Sequence, residues 1–160
     1  MRKIIGFLFL AIIIISACEK DDFCTQTPVT PKLILRFYDA DNRDTFKDVE
    51  SLSVWVEGKD TITSYMSADI DSIAIPLNPN DSETIYHFKM NDTDGKTINN
   101  KEETFTINYT PENEFVSRSC GFRVIFNDAN FSSDNTWINS FTAIETTIDN
   151  QNAAHVQVFH

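Results

Sequence analysis

From Leu33 onward, apolar and polar residues alternate in short runs, the period-two signature of strands that bury one face. Leu33, Leu35 and Phe37 alternate with Ile34, Arg36 and Tyr38. Leu52, Val54 and Val56 alternate with Ser53, Trp55 and Glu57, and this second strand stops at Gly58. A short strand is expected in Thr61 to Tyr65. Ile73, Ile75 and Leu77 follow, closed by Pro76 and Pro79, and a proline in such a run marks an edge or a strand end. Thr84, Tyr86, Phe88 and Met90 share one face, with Ile85, His87 and Lys89 on the other. Phe105, Ile107 and Tyr109 alternate with Thr104, Thr106, Asn108 and Thr110, and Phe122, Val124 and Phe126 with Arg123, Ile125 and Asn127. Asn127–Asn135 reads as loop and Trp137–Ile148 as strand. Ala154, Val156 and Val158 form a C-terminal strand expected to pair inside a sheet. Asp39–Asp44 and Asn91–Gly95 have turn composition. With no 3.6-residue period in this region, the pattern predicts an all-β fold. An antiparallel β-sandwich, immunoglobulin-like or similar, of about seven to nine strands suits the length.

The first residues follow a different rule. Arg2 and Lys3 precede an unbroken apolar run, Ile4–Ile15, and then Ser16, Ala17 and Cys18. A basic n-region, an apolar h-region and small residues at a cut make a secretory signal. The run falls short of the ~20 apolar residues of a spanning helix. Cys18 directly after Ser16-Ala17 resembles the lipobox of bacterial lipoproteins. That resemblance implies cleavage before Cys18 and a lipid on it. The predicted organisation is a signal peptide over 1–17, a lipidated tether over 18–31 and one sandwich domain over 32–160. Lys20, Asp21 and Asp22 resemble the export signal that follows the lipidated cysteine in surface lipoproteins of Bacteroidetes-type bacteria. The expected address is the outer membrane, facing outward. The plainer reading of the same residues is a solvated tether on a periplasm-facing protein.

The formal charge is −11, and it becomes −13 once Arg2 and Lys3 leave with the signal. Clustered Lys and Arg are what nucleic acids and anionic lipid surfaces require, so the balance argues against binding either by electrostatics. A hydrophobic fraction of 41% with 13 Phe suffices for a packed core. Lipidation of Cys18 leaves Cys24 and Cys120. An even remainder in an oxidising compartment reads as one disulfide. A metal pair and a reactive thiol are the rival readings, against which stand the absence of CxxC spacing and of a neighbouring His.

Chemistry-bearing motifs are few. Asp39, Asp41 and Glu50 occupy the first, third and twelfth positions of an EF-hand-like calcium loop. Arg43 and Asp44 then stand where that loop needs an oxygen ligand and a Gly, so a structural turn is expected and no metal or other cofactor. Asp92 and Asp94 read as a solvated hairpin tip. His155 and His160, five apart, would face opposite sides of a strand, and His87 falls on a polar, exposed face. Trp55 and Trp137 are each either packing residues or ligand patches, with packing the usual fate of Trp. Asp60-Thr61-Ile62 and Asp71-Ser72-Ile73 resemble the Asp-(Ser/Thr)-apolar acceptor for bacterial O-glycosylation. That would place sugars on Thr61 and Ser72, against the alternative of buried strand ends. No phosphate loop, nucleophile elbow or zinc-protease motif is present.

Taken whole, the chain resembles a family of small Bacteroidetes-type outer-membrane lipoproteins of unknown function. The resemblance is carried by Cys18–Cys24, Thr30–Asp39, Asp71–Leu77, Val116–Gly121 and Asn152–Val156. It implies one domain and carries no catalytic residue across. The expected function is a non-enzymatic binding or structural module, held to the membrane by lipid and meeting a protein or glycan partner at the cell surface. A glycan-acting enzyme using carboxylates and a soluble-ligand carrier are the alternatives.

Overall fold

The structure, a computed structural model, describes Cys24, residues 29–92 and residues 99–160. Cys18, Lys20, Asp21, Asp22 and Asp94 lie outside these residues. The chain divides into two compact units. The larger comprises Thr30–Glu114 and Val124–His160, and the smaller contains Phe115–Arg123 together with Cys24 and Val29.

Among the described residues, nine strands run in chain order. They are β1 (Leu33–Tyr38), β2 (Val49–Val56), β3 (Ala68–Ile70), β4 (Ser72–Ile75), β5 (Glu83–Met90), β6 (Lys101–Ser117), β7 (Gly121–Ser133), β8 (Ser140–Ala143) and β9 (Val156–Phe159). One sheet has the order β4-β1-β9-β8 and the other β3-β2-β5-β6-β7. Pairing is antiparallel except between β1 and β9, which run parallel with Leu35 opposite Val156 and Phe37 opposite Val158. β9 therefore sits inside its sheet, as its apolar alternation predicts. β4 lies at an edge, where Pro76 ends it without costing a ladder hydrogen bond.

The larger unit is a sandwich. Leu33, Leu35, Phe37, Ile73, Ile75, Val156 and Val158 from one sheet meet Leu52, Val54, Tyr86, Phe88, Phe105, Ile107 and Phe126 from the other in one buried cluster. Each fully buried apolar side chain of this kind stabilises by roughly 1.5–3 kcal/mol relative to exposure. The hydroxyls of Thr84 and Tyr109 are paired inside. The Asn78 amide donates to Thr84 Oγ1 at 3.1 Å, Thr84 and Tyr109 share a hydroxyl hydrogen bond, and Tyr109 donates back to the Asn78 carbonyl at 2.9 Å.

Three expectations need correction. Asn127–Asn135 is not loop: β7 runs on to Ser133, with Ala129 and Phe131 buried. Trp137–Ile148 is not one strand. Only Ser140–Ala143 pairs as β8, and Ile148 makes an isolated bridge to Phe126. Thr61–Tyr65 is a single bridge, Trp55 to Thr61, followed by one 3₁₀ turn over Thr63–Tyr65.

Pro111 lies inside β6 yet breaks no ladder. The Tyr109 amide reaches back to the Ser82 carbonyl, and pairing with β5 ends there. Residues two apart in a strand point their amides the same way, so Pro111 lacks its N–H on a side that β5 has already left.

Candidate functional site

The outward face of the β2-β5-β6 sheet carries an open array of unlike side chains. β2 turns Val54 inward and Trp55 outward, and β5 does the same with Phe88 and His87. The register sets Trp55 opposite His87, Ser53 opposite Lys89 and Lys89 opposite Glu102. Their side chains therefore become neighbours only through pairing. The Trp55 indole stacks on the His87 imidazole with centroids 5.3 Å apart and planes 12° apart. His87 Nδ1 lies 3.1 Å from Glu102 Oε1. That separation suits an ion pair when the ring is protonated, but the alignment makes no hydrogen bond. Lys89 Nζ is 2.7 Å from Asp92 Oδ1. The hydrogen bond from Lys89, followed by one from Ser53, holds the Asp92 carboxyl below its ordinary value of 3.8.

Trp55, Lys59, Asp60, Thr61, Lys89, Asp92 and Glu102 line a shallow depression of about 380 Å³ here. Gly58 makes the tight turn that brings Thr61 back against Trp55, and its φ of +69° is one that other residues rarely adopt. The result is a half-buried aromatic plate ringed by two cations, carboxylates and a hydroxyl. Chemically it can stack against a flat apolar surface and hydrogen bond around its rim.

A second depression, also about 380 Å³, is lined by Lys47, Glu50, Met90, Lys101, Trp137 and His160 among others. Trp137 belongs to the core: it is 6% exposed and its Nε1 donates to the Phe88 carbonyl at 3.1 Å. His160 stands edge-on to Trp137 and Phe37. Burial lowers the His160 pKa from 6.5 against an upward pull from its hydrogen bond to the Lys47 backbone.

The residues singled out in the sequence fall as follows. Cys24 and Cys120 form a disulfide with Cα atoms 4.8 Å apart. Thr61 is half-buried on the rim of the Trp55 depression. Ser72 opens β4, and its hydroxyl donates to the Leu35 carbonyl at 3.2 Å. Asp39 spends its carboxylate on the turn: Oδ1 accepts from the Asp41 and Asn42 amides at 2.8 and 2.9 Å, and Oδ2 lies 3.4 Å from Lys47 Nζ. His87 is half-buried rather than exposed, because Trp55 covers it. His155 is 2% exposed, and its Nδ1 accepts the Ile34 amide at 3.0 Å. Among the described residues, no three His, Cys, Asp or Glu side chains are grouped to hold a metal.

Sequence reasoning did not pair Trp55 with His87. Both fall on the polar faces of their strands, and only the β2–β5 register puts one ring on the other. Glu103 lies on the inward phase of β6 with Phe105, Ile107 and Tyr109, and that phase is its signal in the sequence.

The model of a family of unknown function, DUF6452, matches residues 51–160. The match begins within β2 and takes in every residue of the Trp55 depression. No curated protein and no solved structure matches the chain.

Proposed function

The chain belongs to the DUF6452 family, and on that premise we propose that it is a lipid-anchored protein of the bacterial outer membrane that binds a partner through the open Trp55 face, without catalysis. Support for the anchor comes from the Arg2–Cys18 signal and its lipobox-like end. Lys20, Asp21 and Asp22 support export to the outer surface, in the manner of Bacteroidetes-type lipoproteins. The single observation that carries the binding role is the stacked Trp55–His87 plate ringed by Lys59, Lys89, Asp92 and Glu102. A half-buried aromatic plate offers apolar area at small entropic cost, and its charged rim supplies directional hydrogen bonds. A sugar ring, with one apolar face and edge hydroxyls, fits that chemistry.

The test is a glycan array and an intact-cell crosslinking experiment with wild-type protein and Trp55→Ala. A set of ligands bound by wild type and weakened at least about tenfold in Trp55→Ala, the loss of roughly 1.4 kcal/mol, supports the proposal. Equal binding by both proteins refutes the Trp55 face. Mass spectrometry of the native N-terminus decides the anchor, since acylated Cys18 is required.

A further inference from the structure

We infer that the tip of the β6–β7 hairpin is a second membrane contact, docking its two exposed phenylalanines and Arg118 on a phosphate-bearing lipid surface. The inference rests on the reading of Cys18 as the lipidated residue. Three independent observations lead to it.

The tip exposes an apolar patch. Phe115 is 60% and Phe122 63% exposed. Their rings stand edge to face with centroids 5.3 Å apart. Single exposed apolar residues are ordinary on any surface, whereas adjoining ones need a cover. The tip is also a formed structure. Gly121 takes a φ of +74°, and the Ser117 hydroxyl accepts the Cys120 amide at 3.0 Å across the turn.

The turn itself carries one cation, Arg118, and no acid; Glu114 precedes the segment, and Cys24 ties to it a tether holding Glu19, Asp21 and Asp22 beside Lys20. An anionic headgroup surface repels the acidic bulk, and Arg118 is the cation of the turn that it attracts. Phenylalanine beside arginine is the pairing that settles at the boundary between headgroups and acyl chains.

The tether leaves the tip nowhere else to be. Cys120 is bonded to Cys24, six residues beyond Cys18. Six extended residues reach at most about 20 Å. A lipid on Cys18 therefore confines the tip to the membrane surface at high effective concentration.

The experiment couples the mature chain through Cys18 to a maleimide phospholipid, with the disulfide intact. The vesicles contain phosphatidylethanolamine and phosphatidylglycerol with brominated acyl chains. A tryptophan is introduced by Phe122→Trp, Phe115→Trp or, as a control of equal exposure on the sandwich, Met66→Trp (60% exposed). Expected is quenching of the added emission at the two tip positions at least about threefold stronger than at Met66, with a blue shift. High salt and Arg118→Glu reduce it. Quenching at the tip no stronger than at Met66 overturns the inference. So does a dimer in solution that Phe122→Ser abolishes while quenching is absent, because the patch would then serve a second copy. Chemical coupling makes this result independent of native acylation. Finding an unacylated native N-terminus would remove the anchor itself, and quenching would separately report what the tip can do.

Discussion

Glu103 enters β6 on the inward phase and is 0% exposed, and among the described residues no ion pair with it is found. Backbone amides face it. Oε1 accepts from Ser133 Oγ at 2.6 Å and the Asn135 amide at 2.8 Å, and Oε2 from the amides of Thr136, Trp137 and Ile138 at 2.8, 3.1 and 3.3 Å. A carboxylate, which only accepts, suits a site made wholly of donors. It takes over the orphaned amides of the segment after β7 and so seats Trp137 and Ile138 in the core. Glu103→Ala strands those donors, each unsatisfied one costing about 1–3 kcal/mol. The expected total loss is at least about 3 kcal/mol, read as the shift in urea midpoint at constant m-value. Glu103→Gln retains one acceptor and turns an NH₂ toward donors. It should lose more than half as much, and a loss below about 0.5 kcal/mol would remove the role assigned here. The inward phase of Glu103 is legible in the sequence. Its partners, 30 to 35 residues downstream, are not.

Two strands change phase partway, and each does so at a residue with positive φ. In β2 the buried set passes from Val49 to Leu52 and Val54, with Ser51 at φ +46° and a register shift between Val49 and Leu52. In β7 it passes from Phe126 to Ala129 and Phe131, with Asp128 at φ +54°. One extra residue in a strand sends every later side chain to the other face. Strict alternation fails there, which is why Asn127–Asn135 reads as loop from its polar Asn, Asp and Ser content. Left-handed backbone costs a non-glycine residue about 1–2 kcal/mol. Asp128→Gly should therefore leave stability equal or raise it by up to about 1 kcal/mol. Asp128→Val, branched at Cβ, should lower it by about 1–2 kcal/mol. Thermal melts of the two variants measure the difference, and a tolerated Val would mean that the phase change has another cause.

Across the whole molecule, β9 closes the smaller sheet between β1 and β8, and a histidine flanks it at each end. His155 accepts the Ile34 amide while its own amide donates to the Ile34 carbonyl, so it caps the parallel ladder. Burial pushes its pKa below 6.5, opposed by a hydrogen bond at the Asn150 backbone and by the charges of Glu145 and Asp149. Burial also lowers that of His160, near Lys47 and Asp39. Both folded values lie below the unfolded one, so the unfolded chain binds more protons as the pH falls through 6.5. Stability is then full above about 6.5 and declines below it until the folded values are reached. The expected outcome is a melting temperature steady from pH 8 to 7 and falling toward pH 5. The slope should flatten in His155→Asn, which keeps an acceptor but cannot protonate. An unchanged slope would exclude His155 as its source.

Local chemistry alone determined a good deal of this protein: strands such as Leu33–Tyr38 and Glu83–Met90, the edge position marked by Pro76 and the turn built on Asp39. These follow from side-chain periodicity and from hydrogen bonds within a few residues, both of which are written in consecutive positions. Tertiary structure decided the rest. It chose the parallel β1–β9 pairing, laid Trp55 on His87, filled the nest around Glu103 and set Phe115 beside Phe122. Each of these needs two segments brought into a particular register, and register depends on packing across the core and on where a bulge slips the phase.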